Sequence, residues 1–374
     1  MKIYYANASL TKNDIRGRSV HIRQFTNHSL QLGHEIWMNQ ATDHPGIQYI
    51  PSDRLQRLKL FRKMDVIYVR LQGKITGACK YTTLPYRLLF GNPINVWEFN
   101  TYPILSFSKK LTEAQKQQKL NRFRELGRHC DLAVCVSEKL SEFVQEHLSI
   151  KNTIVIPNGS DPVLFDPDLY KNSVLENVNS EQFNVLWMGS AELSWNDFDQ
   201  LVNVVRILNK RGYEKHIAFH VIGSIDLDIK DIPPNIFCHG KIQYENLPQW
   251  LAKMDLGLIV YKPGSADYNS PLKLFDYLSS EMAVVSNEQP QVREVLSKIN
   301  AEDLICAYGD SEEMANKIES LVNQPERVRR LGDQGRKLVI NYYNWERAVR
   351  KTYDQILEIK NNQGGFLWKT NSNL

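Results

Sequence analysis

Residues Leu256–Ser286 read LGLIVYKPGSADYNSPLKLFDYLSSEMAVVS, and the order of patterns within them decides the fold. An apolar run, Leu256–Val260, leads into a loop rich in Pro, Gly, Asn and Ser. A helical pattern from Leu272 to Ser280 begins just after Pro271, and a second apolar run, Ala283–Ser286, follows at once. Two short buried runs joined by a helix make a strand–helix–strand unit, from which parallel sheets are built.

The same alternation extends in both directions. Upstream lie strand patterns at Val185–Met188, Ala218–Ile222 and Ile236–His239, and downstream one at Leu304–Cys306. Trp345–Ile359 has the spacing of an amphipathic helix, and the polar tail from Asn361 with Gly364-Gly365 is expected to fray. A separate series opens the chain, with strands at Lys2–Ala6, Glu35–Met38, Val66–Arg70, Asn95–Phe99, Leu132–Val136 and Thr153–Ile156. Helices are expected at Val20–Leu32, ending on Gly33, at 109–129, and at Glu138–His147 with Ser137 as N-cap. Asp161–Asn184 is rich in Asp, Pro, Asn and Ser and reads as a connection.

The length of 374 residues suits two cores. The expectation is an α/β protein of two Rossmann-like, doubly wound domains facing a cleft. The first spans 1–165 and is joined by the closing helix, 345–374; the second spans 166–344. In such sheets ligands sit beyond the carboxyl ends of the strands.

Composition narrows the class. No run of roughly 18 apolar residues is present, so no spanning helix is expected. The N-terminus reads as a strand, and the five cysteines lack paired ligand spacing and read as small core residues in a reducing compartment. Net charge is +4, unevenly placed: residues 1–160 hold 23 of the 46 basic residues and 12 of the 42 acidic ones. A basic first half points to an anionic partner or to domain docking and solubility alone. The 109–128 segment, with seven basic and two acidic residues, is either a membrane-surface helix or a solvated face over Leu111, Leu120, Phe123 and Leu126.

Candidate site residues come from loops at strand ends. Gly17, beside Arg16 and Arg18, opens the first helix and would let backbone N–H groups meet an anion. Glu98 and Asn100 share one strand face, where Asn would bond sugar hydroxyls and Glu98 would orient it or act as an acceptor; a polar strand end with a satisfied carboxylate is the alternative. Asn269, Ser270, Pro271 and Leu272 lead into a helix N-terminus with free donors. Lys273 sits in that helix's first turn, where the dipole disfavours a cation, so it is expected to face an anion. Asp276, three residues on, would accept from a ribose diol. A surface Lys–Asp pair is the plain alternative.

These segments resemble glycosyltransferase family 4. The resemblance rests on Gly17-Arg-Ser-Val-His21, Cys130-Asp-Leu-Ala-Val-Cys-Val-Ser137, Val155-Ile-Pro-Asn-Gly-Ser-Asp161, Ser270-Pro-Leu-Lys-Leu-Phe-Asp-Tyr277 with Ala283-Val-Val-Ser286, and Asn344-Trp-Glu-Arg-Ala348, in family order. It implies a GT-B fold and transfer of a sugar from a nucleotide diphosphate donor with retention, without cofactor or metal. Asp276 then matches the second glutamate of the family's E-x(7)-E motif, and the first falls on Tyr268. Gly189 matches the loop that ordinarily carries an Arg and a Lys on the diphosphate. Here Ser190 stands at the Arg position, Trp195-Asn196 at the Lys position, and Lys273 with Arg18 would take their place. Asn100 matches a position often held by His. Gly240, Lys241 and Ile242 match the segment that meets the base through its backbone.

The expected function is therefore a retaining hexosyltransferase, cytoplasmic or held at a membrane face, acting on a glycan or lipid-linked acceptor. The competing readings are a non-catalytic nucleotide-sugar or glycan binder, and an epimerase of the same fold. Nucleic acid is a poor fit, since no aromatic stacking surface accompanies the basic half.

Overall fold

The structure, a computed structural model, describes residues 1–10, 17–39, 44–71, 75–101, 111–225, 232–264 and 266–371. The strands are β1 (Lys2–Ala6), β2 (Glu35–Met38), β3 (Ile47–Tyr49), β4 (Val66–Leu71), β5 (Ile94–Phe99), β6 (Leu132–Cys135) and β7 (Thr153–Val155), then β8 (Phe183–Met188), β9 (Ile217–Ile222), β10 (Ile236–Cys238), β11 (Leu256–Ile259), β12 (Ala283–Asn287) and β13 (Ile305–Cys306). The helices are α1 (Gly17–Gln31), α2 (Arg54–Phe61), α3 (Leu84–Leu89), α4 (Glu113–Gly127), α5 (Glu138–Leu148), α6 (Phe198–Lys210), α7 (Leu247–Leu251), α8 (Leu272–Ser279), α9 (Pro290–Ser297), α10 (Ser311–Val322), α11 (Pro325–Tyr342) and α12 (Trp345–Asn371).

Two compact units result. The first holds Met1–Pro157, Tyr268–Ser270 and Trp345–Leu374; the second holds Asn158–Asp267 and Pro271–Asn344. The division falls at 157/158, ahead of the 165/166 suggested by composition. Its cause is local: Ser160 bridges to Asn344, and the Phe165 ring packs 5.4 Å from that of Tyr244.

The first unit carries a seven-stranded sheet in the order β3-β2-β1-β4-β5-β6-β7, and the second a six-stranded sheet in the order β10-β9-β8-β11-β12-β13. Every strand pair is parallel. The order reverses between β1 and β4 in one sheet and between β8 and β11 in the other, the two points where doubly wound sheets open for ligands. Both units are thus Rossmann-like, as the alternating pattern implies. Strands β4, β5 and β6 are buried on both faces, which explains their near-continuous apolar runs.

Local signals agree with the helices. Ser137 caps α5 by accepting from Leu140 N–H at 3.3 Å, and Asp197 caps α6 by accepting from Gln200 N–H at 3.1 Å. Two expectations are corrected. Helix α12 runs on to Asn371, where fraying from Asn361 was expected. Cys238 is exposed, unlike the buried Cys79, Cys135 and Cys306, because it stands at the end of the edge strand β10.

Candidate functional site

In the second unit the polar groups gather at the strand-order reversal. Gly189 follows β8, and its N–H donates to the Ile222 carbonyl at 3.0 Å. Gly223 follows β9 with a φ of +140°, and a Cβ there would lie 1.6 Å from the Gly189 carbonyl oxygen. Only glycine permits that approach of two loop backbones. The Gly240 carbonyl accepts from Gly223 N–H at 2.8 Å, which ties the third loop to the other two. Gly240 itself has a φ of +67°, Lys241 is exposed and Ile242 is half-buried.

Helix α8 is locked onto this floor. The Tyr277 ring lies flat against β11, where a Cβ on Gly257 would meet it at 2.3 Å. The Tyr277 hydroxyl accepts from Met188 N–H at 3.0 Å. The N-cap of α8 is Pro271, whose side chain accepts nothing. Its first N–H groups are the donors that such a helix start leaves for a ligand.

Lys273, one turn before Tyr277, therefore points back to the end of the sheet. Its Nζ lies 5.3 Å from the Trp187 ring centroid and 5.1 Å from that of Tyr261. It makes no hydrogen bond and no ion pair among the described residues, and the atom is buried. Burial pushes its ammonium down to about 7. The two aromatic faces recover part of the lost hydration. Trp187 also adjoins Gly189, where a Cβ would meet the indole at 2.9 Å. The buried cation and the glycine loop thus share one wall.

Asp276 is 3% exposed. Its Oδ1 accepts from the Ser160 hydroxyl at 2.7 Å and from the Tyr244 hydroxyl at 3.5 Å. Burial raises its carboxyl to about 7, against the pull of those two donors. No hydrogen bond is made to Oδ2 among the described residues. Near neutrality Asp276 is thus poised between acceptor and acid.

Ser190 and its neighbours differ in kind from a cationic clamp. The Ser224 hydroxyl donates to Glu192 and lies 3.0 Å from the Ser190 hydroxyl. Asn196 donates to the Ser190 carbonyl at 2.8 Å. The loop is closed by hydrogen bonds from neutral donors and carries a carboxylate. Glu192 is a polar neighbour of this loop that the sequence reading passed over.

Tyr268 and Asn269 are half-buried and Ser270 is buried, and all three group with the first unit. The Tyr268 carbonyl accepts from the Ser137 hydroxyl at 2.9 Å, and Lys139 Nζ lies 5.2 Å from its ring. Leu272 is half-buried.

The first unit has its own polar centre. Arg70 on β4 and Glu98 on β5 are register partners, 4% and 1% exposed. Glu98 Oε1 receives Arg70 and Asn100, and Oε2 receives the Tyr5 hydroxyl at 3.2 Å. Burial alone would push Glu98 up, but Arg70, with His21, Asn100 and Tyr5, holds its carboxyl below the usual range. Arg70 donates to His21 Nδ1 at 2.7 Å, so that nitrogen carries no proton and Nε2–H faces Glu98 at 3.4 Å. Burial and the Arg70 charge push His21 down to about 3, so it stays neutral. Trp345 of α12 meets the His21 ring edge-on at 5.1 Å.

Glu98 and Asn100 do share a face and bond one another, as their spacing implies. Arg70 is the member sequence reasoning missed; it was read only as the last residue of an apolar strand. Gly17 begins α1, while the Arg18 side chain and residues 14–16 of the first loop lie outside the described residues. Among the described residues no three His, Cys, Asp or Glu side chains converge.

Comparison with known proteins bears on both units. Residues 202–354 match the family model described as glycosyl transferase-like. No curated protein matches. The fold is that of GT-B glycosyltransferases: two parallel-sheet, Rossmann-like domains. Sucrose-phosphate synthase from Thermosynechococcus elongatus aligns with a TM-score of 0.70 and 14% identity, over 96% of this chain and 99% of its own. HepE from Anabaena, in a complex with UDP, aligns with a TM-score of 0.72 and 13% identity, over 96% and 100%. A glycosyltransferase from Rickettsia africae gives 0.70 and 15%, over 96% and 99%.

Proposed function

We propose that this chain is a retaining glycosyltransferase. It would move a hexosyl group from a nucleotide diphosphate sugar to a hydroxyl of a glycan or lipid-linked acceptor. The observation that carries the reading is Lys273: a buried cation, unpaired among the described residues, beside the Gly189–Gly223 loops and the α8 N-terminus, at the switch point of a doubly wound sheet. A buried charge without a partner is costly, and an anionic ligand would supply the partner. The HepE structures with UDP and with UDP-glucose make a nucleotide sugar the natural candidate.

In this reading the second unit holds the donor. Asp276, ionised, accepts from the ribose diol through Oδ2, while Ser160 and Tyr244 hold Oδ1. Gly240, Lys241 and Ile242 present backbone to the base. Lys273, the α8 N–H groups and Ser190 face the diphosphate. As the anomeric C–O bond breaks, charge grows on the departing phosphate, and these fixed donors stabilise it. The acceptor hydroxyl attacks the anomeric carbon from the face of departure, and its proton passes to the leaving phosphate oxygen. No cofactor or metal is needed for that balance.

The acceptor is recognised by the first unit, with Asn100 held by Glu98 and Arg18 and Gly17 at the start of α1. Glu98 would act there as a positioning residue, its oxygens already engaged. No described helix is long and apolar enough to cross a membrane, and a cytoplasmic or membrane-face location is part of the proposal.

One observation favours a second reading, a non-catalytic nucleotide-sugar binder: Glu192 beside Ser190, where a diphosphate would prefer a cation. Donor hydrolysis separates the two. A panel of nucleotide sugars would raise thermal stability under either reading. Release of free sugar, abolished by Lys273→Ala and Asp276→Ala in folded protein, is expected of the transferase. Stabilisation without any release would establish the binder.

A further inference from the structure

Helix α3 inverts the pattern of an ordinary surface helix. It has no buried residue, and its leucines face outward: Leu84 is 54%, Leu88 72% and Leu89 41% exposed. Leu84 and Leu88 are four residues apart and share one face. The helix is nevertheless firmly seated. The Tyr86 ring lies 5.6 Å from Tyr81 and 5.8 Å from Phe90, and Phe90 packs 4.8 Å from Phe61.

Helix α2 ends against the same place. Arg62 Nε donates to the Leu89 carbonyl at 3.1 Å. At its other end α2 exposes Leu55. Both segments are basic, although Asp53 caps α2 and Asp131 pairs with Arg87. Arg54–Lys63 holds five basic residues and no acidic one, and residues 77–92 add Lys80 and Arg87, again with no acidic residue. Arg57 is spent on the Pro51 and Ser52 carbonyls, and Arg87 on His129 and Asp131. Arg54, Lys59, Arg62, Lys63 and Lys80 remain exposed.

We propose that α3 and the adjoining face of α2 dock this protein on an anionic lipid bilayer. Leu84 and Leu88 enter the boundary between headgroups and acyl chains, and the surrounding Lys and Arg meet lipid phosphates. The charge selects this occupant. A second copy of the chain would set one basic face against another. The basic helix α4 is the poorer anchor, because its bulky residues Phe123 and Leu126 are buried in the core.

The test is co-sedimentation with phosphatidylcholine vesicles, with and without phosphatidylglycerol. The wild type is expected to partition onto the anionic vesicles, less so at high salt, and to stay in solution with phosphatidylcholine alone. Leu84→Ser with Leu88→Ser, and separately Lys59→Glu with Lys63→Glu, should each lower the partition coefficient about tenfold. Donor hydrolysis in vesicle-free buffer should be unchanged. The proposal is overturned if the wild type does not sediment, or if both double variants sediment like it. It is also overturned if the leucine pair instead abolishes self-association or binding to an acidic protein. Vesicle binding needs no turnover, so a negative result leaves the transferase reading standing.

Discussion

The two units each bury charge at the end of a parallel sheet, and they do so in opposite ways. Around Arg70 and Glu98 the charges cancel, and His21, Tyr5 and Asn100 fill most of the remaining positions. Only Arg70 Nε lacks an acceptor among the described residues. Around Lys273 and Asp276 nothing cancels. Among the described residues the cation meets only aromatic faces, and the carboxyl is bonded through one oxygen. A closed cluster specifies structure, whereas an unsatisfied one at a loop-lined floor is arranged for something that arrives.

The largest expected effect breaks the closed cluster. Glu98→Ala leaves Arg70 buried without a counter-charge and should cost about 3–5 kcal/mol in denaturant unfolding. Lys273→Met removes a charge that has no partner and should leave unfolding stability unchanged or raised. Similar losses for both variants would erase the distinction between the two regions.

Turnover should reverse the ranking. Lys273→Met is expected to lower donor hydrolysis or transfer by about 10²–10³-fold, the scale of losing one preorganised donor to a developing negative charge. A folded Lys273→Met enzyme at wild-type rate would place the phosphates elsewhere in the second unit.

The sequence reading reached the sheets because parallel strands buried on both faces leave continuous apolar runs, as in VIYVR and NVWEF. Strand β3 escaped it: only Ile47 of its three residues is buried, so no run announces it. Lys273 and Asp276 were legible because a cation in a first helical turn contradicts the dipole. Their surroundings were not. Ser160 lies 116 residues from Asp276, and Trp187 belongs to another strand, so only folding brings them together. Arg70 was hidden for the same reason, since its partners Glu98 and His21 come from other segments.

The pH dependence sharpens the contrast. Asp276 titrates near 7 in the fold and near 3.8 when free. The native state therefore holds the extra proton between these values, and the stability it contributes is lost as pH rises through that window. Lys273 titrates near 7 in the fold and near 10.5 when free. The unfolded state holds the extra proton there, so stability from this group grows as pH rises from about 7 to 10.5. Equilibrium unfolding followed across pH should show a falling limb removed by Asp276→Asn and a rising limb removed by Lys273→Met. The Arg70–Glu98 pair should add no slope between pH 6 and 9, and a slope there abolished by Glu98→Gln would mean its charges are not matched. Diphosphate binding favours charged Lys273 and should take up protons above pH 7, so donor affinity should weaken as pH climbs.

The smallest effect is the most discriminating. Asp276→Asn keeps an oxygen for Ser160 and Tyr244 and removes a carboxylate that is costly to ionise in this site. Unfolding stability at pH 8 should be retained or raised, because the cost of ionising a buried carboxyl is gone. Donor affinity should nevertheless fall about tenfold, because the amide replaces one acceptor oxygen with a donor facing the ribose diol. Comparing nucleotides with 2′-deoxyribose isolates the cause. If Asp276 holds the diol, wild type should discriminate against the deoxy form and Asp276→Asn should not. Equal discrimination by both proteins would assign the ribose to another residue and leave Asp276 as a buried brace between Ser160 and Tyr244.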